Sequence, residues 1–238
     1  MHAVAAAGPL PPGAERLQVK TPDGEVLHGV FFPGPAQTDA PKTLVLGFGG
    51  NAWNGQDVGS YLHELYPDVD VVAFHYRGYW PSTGKPSAEA LLADAPLVYD
   101  ATIAKVRPER TIAVGFSIGS GVAASLANRR RVDGLILITP FDSLKAVASS
   151  LYPWFPVGPF FKHEINSVEG LRGSAVPVAI VAGERDEIIP AERTSALRNG
   201  VPNLVFDRTI TRAGHNDIYT RSEFQAAMDE AFEAVLHR

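Results

Sequence analysis

Thr111-Ile112-Ala113-Val114-Gly115-Phe116-Ser117-Ile118-Gly119-Ser120-Gly121-Val122-Ala123-Ala124-Ser125-Leu126-Ala127 reads as a buried strand, a sharp turn and a small-residue helix, with a serine at the apex. The apolar run predicts a strand covered on both faces. The glycines let the chain reverse without a Cβ clash. The Ser117 hydroxyl is thereby presented above the sheet edge, beside the backbone N–H groups of a helix N-terminus, where developing negative charge is favoured. A G-x-S-x-G string alone is weak evidence. Set between strand and helix it is strong, and it requires an acid and then a histidine further along the chain.

Outward from this stretch the same strand type recurs. Thr43–Leu46, Val69–Phe74, Leu135–Ile138 and Val178–Val181 are continuous apolar runs, and Asn203–Ile210 reads as a last strand. Helix-length segments separate them, which argues for a mostly parallel sheet with helices on both faces. Leu17–Lys20 and Glu25–Phe32, split by Thr21-Pro22-Asp23-Gly24, read as a β-hairpin. Helices are expected at about Ala95–Val106 with Asp94 as N-cap, from Ser117 to about Arg130, and at about Ser222–His237. Residues 1–14, rich in Ala, Pro and Gly, are expected to form a flexible arm, and 15–238 a single domain. Residues 140–175 carry many aromatics and prolines and read as a short lid or as a packed crossover.

A serine hydroxyl is a poor nucleophile until a base takes its proton and an acid orients that base. Gly183-Glu184-Arg185-Asp186-Glu187-Ile188-Ile189-Pro190 follows the Val178 strand, in the position where ligand-facing residues of parallel sheets cluster. Spacing alone leaves Glu184, Asp186 and Glu187 open as the acid. Three histidines follow Ser117: His163 within the 140–175 segment, His215, and the penultimate His237. His215, in Gly214-His215-Asn216-Asp217 between the last strand and last helix, is the candidate base. Two N–H donors are needed for an oxyanion. Ile118 is placed for one, and the loop Gly47-Phe48-Gly49-Gly50-Asn51-Ala52-Trp53 for the other. That loop lacks both G-x-x-x-x-G-K-S/T and G-x-G-x-x-G, so a phosphate cradle is not the reading.

Six segments, in order, resemble the α/β-hydrolase superfamily, over about residues 15–238. They are Gly49-Gly50-Asn51, Tyr76-Arg77-Gly78-Tyr79 through Ser87, Gly115–Gly119, Phe141-Asp142-Ser143-Leu144, Gly183–Pro190 and Gly214–Asp217. More narrowly the chain is similar to small-lid serine hydrolases of the Bem-forty-six and serine aminopeptidase-like type. The resemblance implies an α/β-hydrolase fold with about eight strands and a short lid. It selects Asp186 as the acid and the Asn51 amide as the second oxyanion donor, and implies Ser117, Asp186 and His215 as catalytic residues. It implies a serine esterase or thioesterase that needs no cofactor and no metal. A peptidase or amidase using the same triad, and a non-catalytic binding protein of the same fold, are the alternatives. Gly49 stands where that family carries histidine, and Trp80-Pro81 where it carries a smaller pair. Arg77 is expected in a structural ion pair.

Trp53, Trp80, Tyr152, Trp154, Phe155, Phe160 and Phe161 are the candidate lining of a pocket for a small-molecule acyl substrate. The net charge of −5 gives no reason to expect nucleic acid as a partner. The absence of cysteine excludes disulfides and thiolate metal sites. No run reaches the length of an integral membrane segment, and the first residues lack the features of a signal peptide, so a cytoplasmic protein is expected.

Overall fold

The computed structural model describes residues 4–35, 41–152, 154, 161 and 163–237. Eight strands form one sheet: β1 (Glu15–Lys20), β2 (Val26–Phe32), β3 (Thr43–Phe48), β4 (Asp70–Phe74), β5 (Arg110–Phe116), β6 (Gly134–Ile138), β7 (Val178–Gly183) and β8 (Leu204–Ile210). Their order is β1-β2-β4-β3-β5-β6-β7-β8. The β1–β2 and β2–β4 pairs are antiparallel, and all others are parallel. Seven helices accompany the sheet among the described residues: α1 (Gly55–Leu65), α2 (Ala88–Val106), α3 (Ile118–Ala127), α4 (Leu144–Leu151), α5 (Ser167–Gly170), α6 (Ala191–Gly200) and α7 (Ser222–Leu236).

Strand side chains alternate between two cores, as the period of two requires. Leu44, Leu46, Leu135, Leu137, Val178 and Ile180 face α2, α3 and α6. Val45, Ile112, Val114, Ile136, Ile138 and Val181 face α1 and α7. Both sets are almost fully excluded from water, which explains why these strands are continuous apolar runs. The sheet is a rigid platform that brings the C-terminal ends of β3, β5, β7 and β8 to one edge.

Two expected helix bounds are corrected. The α2 helix begins at Ala88, with Ser87 Oγ accepting the Ala90 N–H as its cap. Asp94 is buried inside the helix and is held by Arg77, so it does not cap anything. Pro96 lies mid-helix and cannot donate to the Leu92 carbonyl, and Arg129 Nη1 donates to that oxygen instead at 2.9 Å. The α3 helix stops at Ala127, where the N–H groups of Arg129 and Arg130 both turn back to the Leu126 carbonyl.

Residues 4–14, expected to form a loose arm, run across the start of α1. Asn54 donates to the Ala5 carbonyl, and Gln56 to those of Gly8 and Pro9. Among the described residues between 140 and 175 the chain forms α4 and α5, and their N-cap residues Ser143 and Asn166 pair in an isolated antiparallel bridge. Phe141, Val147 and Ile165 bury the base of this excursion against Ala88 and Ile189.

Candidate active site

Ser117 follows the last residue of β5 with φ 50° and ψ −116°, a conformation that side chains other than glycine rarely adopt. Its surroundings over-determine that turn. Its N–H donates to the Ile138 carbonyl at 2.9 Å, and its carbonyl accepts both the N–H and the hydroxyl of Ser120. The flanking glycines serve close approach. A Cβ on Gly115 would lie 2.4 Å from the Gly119 carbonyl oxygen, and one on Gly119 would lie 2.1 Å from that of Phe48.

The serine, histidine and aspartate singled out in the sequence meet here. His215 Nε2 is 3.0 Å from Ser117 Oγ, and His215 Nδ1 is 2.8 Å from Asp186 Oδ2. His215 and Asp186 are both largely buried, with side chains 7% and 8% exposed, so the pair is shielded from competing water. The other Asp186 oxygen accepts the N–H groups of Ile188 and Ile189 at 2.9 and 2.7 Å, which fixes the carboxylate.

The three neighbouring acids divide the work by geometry. Glu187 accepts the backbone N–H of His215, and Glu184 that of Arg212. Asp217 accepts the N–H of Gly214. The acid loop after β7 is thus laced to the loop carrying His215, while Asp186 alone among them takes the ring.

Ile118 is the first residue of α3, so its N–H has no partner within the helix. The loop after β3 lies alongside. A Cβ on Gly50 would be 3.7 Å from Ser117 Cβ. A side chain at Gly49 would meet Val58 at 2.8 Å, which is why this position holds glycine. Tyr76 Oη donates to the Gly49 carbonyl, and Tyr79 Oη to Asn51 Oδ1.

A cleft of about 480 Å³ opens beside Ile118 and Asn51. Tyr79, Trp80, Leu91 and Leu144 give it apolar walls, and His163 stands at its edge. The expected lining is therefore corrected in part. Trp80 belongs to it, although 74% exposed. Trp53 does not. Its ring packs beneath the elbow against Phe116, Tyr61 and Tyr219, at centroid distances of 5.0 to 5.6 Å. Tyr152 and Trp154 are 53% and 79% exposed, pack edge-on against each other and do not line the cleft. Phe155 and Phe160 lie outside the described residues. Tyr79, Leu91 and Leu144 were not singled out as lining by the sequence, though Tyr79 and Leu144 sit in two of the segments that carry the resemblance.

Burial pushes the Tyr219 phenol up to about 12 and that of Tyr61 higher still. The aromatic floor under Ser117 therefore stays uncharged. Arg77 does not face the cleft as a carboxylate clamp. It makes a two-pronged pair with Asp94 at 2.7 and 3.0 Å and a further contact with Asp23. Asp94 and Asp23 hold its charge more firmly than usual. Among the described residues no cluster of His, Asp and Glu is arranged to hold a metal ion, and no helix is long and apolar enough to cross a membrane.

No family model matches the chain. An uncharacterized protein of Mycobacterium tuberculosis is 32% identical over 220 residues, covering 89% of this chain and 78% of that one. The α/β hydrolase domain-containing protein 17C of Xenopus tropicalis is 29% identical over 165 residues, covering 66% of this chain and 50% of its own. Among solved structures, the Pyrococcus furiosus esterase Pf2001 superposes with a TM-score of 0.72 at 18% identity, covering 92% of this chain and 90% of its own. The eight-stranded sheet, its strand order and this superposition agree, and the chain has the α/β-hydrolase fold.

Proposed function

We propose that this protein is a serine hydrolase that cleaves a carboxylic ester or thioester through an acyl-enzyme. The observation that carries the reading is His215 bridging Ser117 Oγ and Asp186 through its two ring nitrogens. Ser117 Oγ attacks the acyl carbon while His215 Nε2 takes its proton. Asp186 keeps the Nδ1–H tautomer in place and stabilises the imidazolium. The N–H groups of Ile118 and Asn51 receive the charge on the tetrahedral oxygen. His215 then returns the proton to the leaving alcohol or thiol as the acyl bond to it breaks. Water repeats the sequence on the acyl-enzyme, with His215 again the base.

The cleft beside Ile118 takes the acyl group. Its apolar walls suit a hydrocarbon chain. An ester or thioester is favoured over an aminopeptidase substrate because no carboxylate stands among the described residues lining the cleft to pair with a free amine.

The test is hydrolysis of p-nitrophenyl esters from acetate to palmitate by wild type and Ser117→Ala. Turnover that peaks at one chain length and is lost in the variant is expected. Turnover that survives in Ser117→Ala would defeat the reading.

A further inference from the structure

The loop that supplies the second oxyanion donor has little of its own to hold it. Gly49 and Gly50 carry no side chain, and Gly49 has no room for one. Ala52 sits at φ 65°, in the left-handed region that residues with a Cβ rarely adopt. The contact from the Trp53 N–H to the Gly50 carbonyl is long, at 3.3 Å. The restraint comes from another loop. Tyr79 Oη donates to Asn51 Oδ1 at 3.1 Å and accepts the Ala52 N–H at 3.4 Å, so one hydroxyl holds both the Asn51 side chain and the peptide that follows it. Tyr76 fixes the Gly49 carbonyl at 2.8 Å, and its ring packs edge-on against Tyr79 at 5.7 Å.

We infer that Tyr79 is a positioning residue for the oxyanion hole, tying the Asn51 loop to the wall of the substrate cleft. The inference rests on the serine hydrolase reading above. Tyr79 and Trp80 form that wall, next to Ile118 and Asn51. A substrate seated in the cleft therefore touches the ring whose hydroxyl aims the Asn51 amide. An oxyanion donor stabilises the transition state only when fixed where the charge develops, and small displacements forfeit much of its effect. The Tyr79 hydroxyl thus acts on the chemical step through Asn51, while ground-state contact with substrate is left to the ring.

The experiment compares Tyr79→Phe, Asn51→Ala and Ser117→Ala on p-nitrophenyl acetate, with melting temperature and the affinity of a trifluoromethyl ketone as companion readouts. Phenylalanine keeps the ring and its packing and deletes only the hydroxyl. Tyr79→Phe is expected to lower kcat by about 10- to 100-fold, less than the ~10²–10³ of losing a donor outright, with KM nearly unchanged. Ketone affinity should fall by the same factor as kcat/KM, because the tetrahedral adduct uses the same donor. Asn51→Ala keeps the backbone N–H and removes the Tyr79 acceptor. It should reproduce the loss, and the double variant should lose little more than either single one. A purely structural role would lower the melting temperature and leave kcat and ketone affinity in place. Loss of Ser117→Ala turnover together with unimpaired Tyr79→Phe and Asn51→Ala overturns this inference alone. Turnover surviving in Ser117→Ala overturns the serine reading and the inference with it.

Discussion

Gly119 and Phe48 touch backbone to backbone: a Cβ on Gly119 would sit 2.1 Å from the Phe48 carbonyl oxygen and 2.6 Å from that of Gly49. The first turn of α3 is thereby pressed against the end of β3, which brings the Ile118 amide and the Asn51 loop to the same point beside Ser117. The obstacle is main chain, so no rotamer change can relieve it. Gly119→Ala is expected to cost about 1–3 kcal/mol as an overpacked site and to lower kcat by spreading the two donors apart. Gly50→Ala is the control for stability, because a Cβ there has only ordinary contacts at 3.6 and 3.7 Å. Thermal denaturation and ester turnover of both variants check this. A Gly119→Ala protein with wild-type stability and rate would contradict it.

The acids around His215 make a second prediction. Asp186 holds the ring at Nδ1, whereas Glu187 holds only the backbone N–H. Asp186→Asn is expected to lower kcat by roughly 10⁴, since an amide at this position favours the wrong imidazole tautomer. Glu187→Gln keeps an oxygen acceptor for the N–H and should stay within about tenfold of wild type. Measured kcat values for the pair decide it, and a larger loss in Glu187→Gln than in Asp186→Asn would reverse the assignment.

The sequence carried the strands because burial on both faces leaves nothing but apolar residues, as Leu135–Ile138 shows. It carried Ser117 and His215 because each sits in a glycine-flanked turn next to a strand. It did not separate Asp186 from Glu184 and Glu187. All three lie within four residues, and only the fold decides which carboxylate meets a ring. Asp94 read as a helix cap because its partner Arg77 is 17 residues away and becomes its neighbour only after the chain folds. Trp53 read as pocket lining because an aromatic beside a glycine loop looks the same whichever side of the loop it takes. The core side wins through contacts with Tyr61 and Tyr219, which lie far from it in sequence or a helix away. Strand order had no local signature, since parallel strands of one composition can be shuffled without changing any of their patterns.

The Arg77–Asp94 pair yields a stability prediction. Both side chains are nearly buried, 12% and 9% exposed, and the bond is two-pronged. Asp94→Ala leaves the guanidinium short of its buried partner and should destabilise the protein by about 3 kcal/mol. Asp23, the exposed partner, should matter little when changed to Asn. Neither substitution touches the cleft beside Ile118, so KM for esters should hold in the folded fraction. Urea denaturation of the two variants is the measurement, and equal losses would show that the buried prong carries no special weight.

His75 makes stability depend on pH. It is 3% exposed, and its Nδ1 accepts the first N–H of α1, from Gly55, at 3.2 Å. Burial pulls its pKa from 6.5 down to about 4, with the His28 and Arg16 charges acting in the same direction and Asp57 opposing them. Protonating Nδ1 would also remove the acceptor for Gly55. Below about 6.5 the unfolded chain takes a proton that the folded chain refuses until about 4. Stability therefore falls as pH drops through that window, with a slope of up to about 1.4 kcal/mol per pH unit from this residue. His75→Asn has no titrating ring and should be less stable at neutral pH but flatter between pH 6.5 and 4. Subtracting its urea-denaturation curve from that of wild type across this range isolates the histidine, and parallel curves would show that His75 is protonated as readily in the fold as outside it.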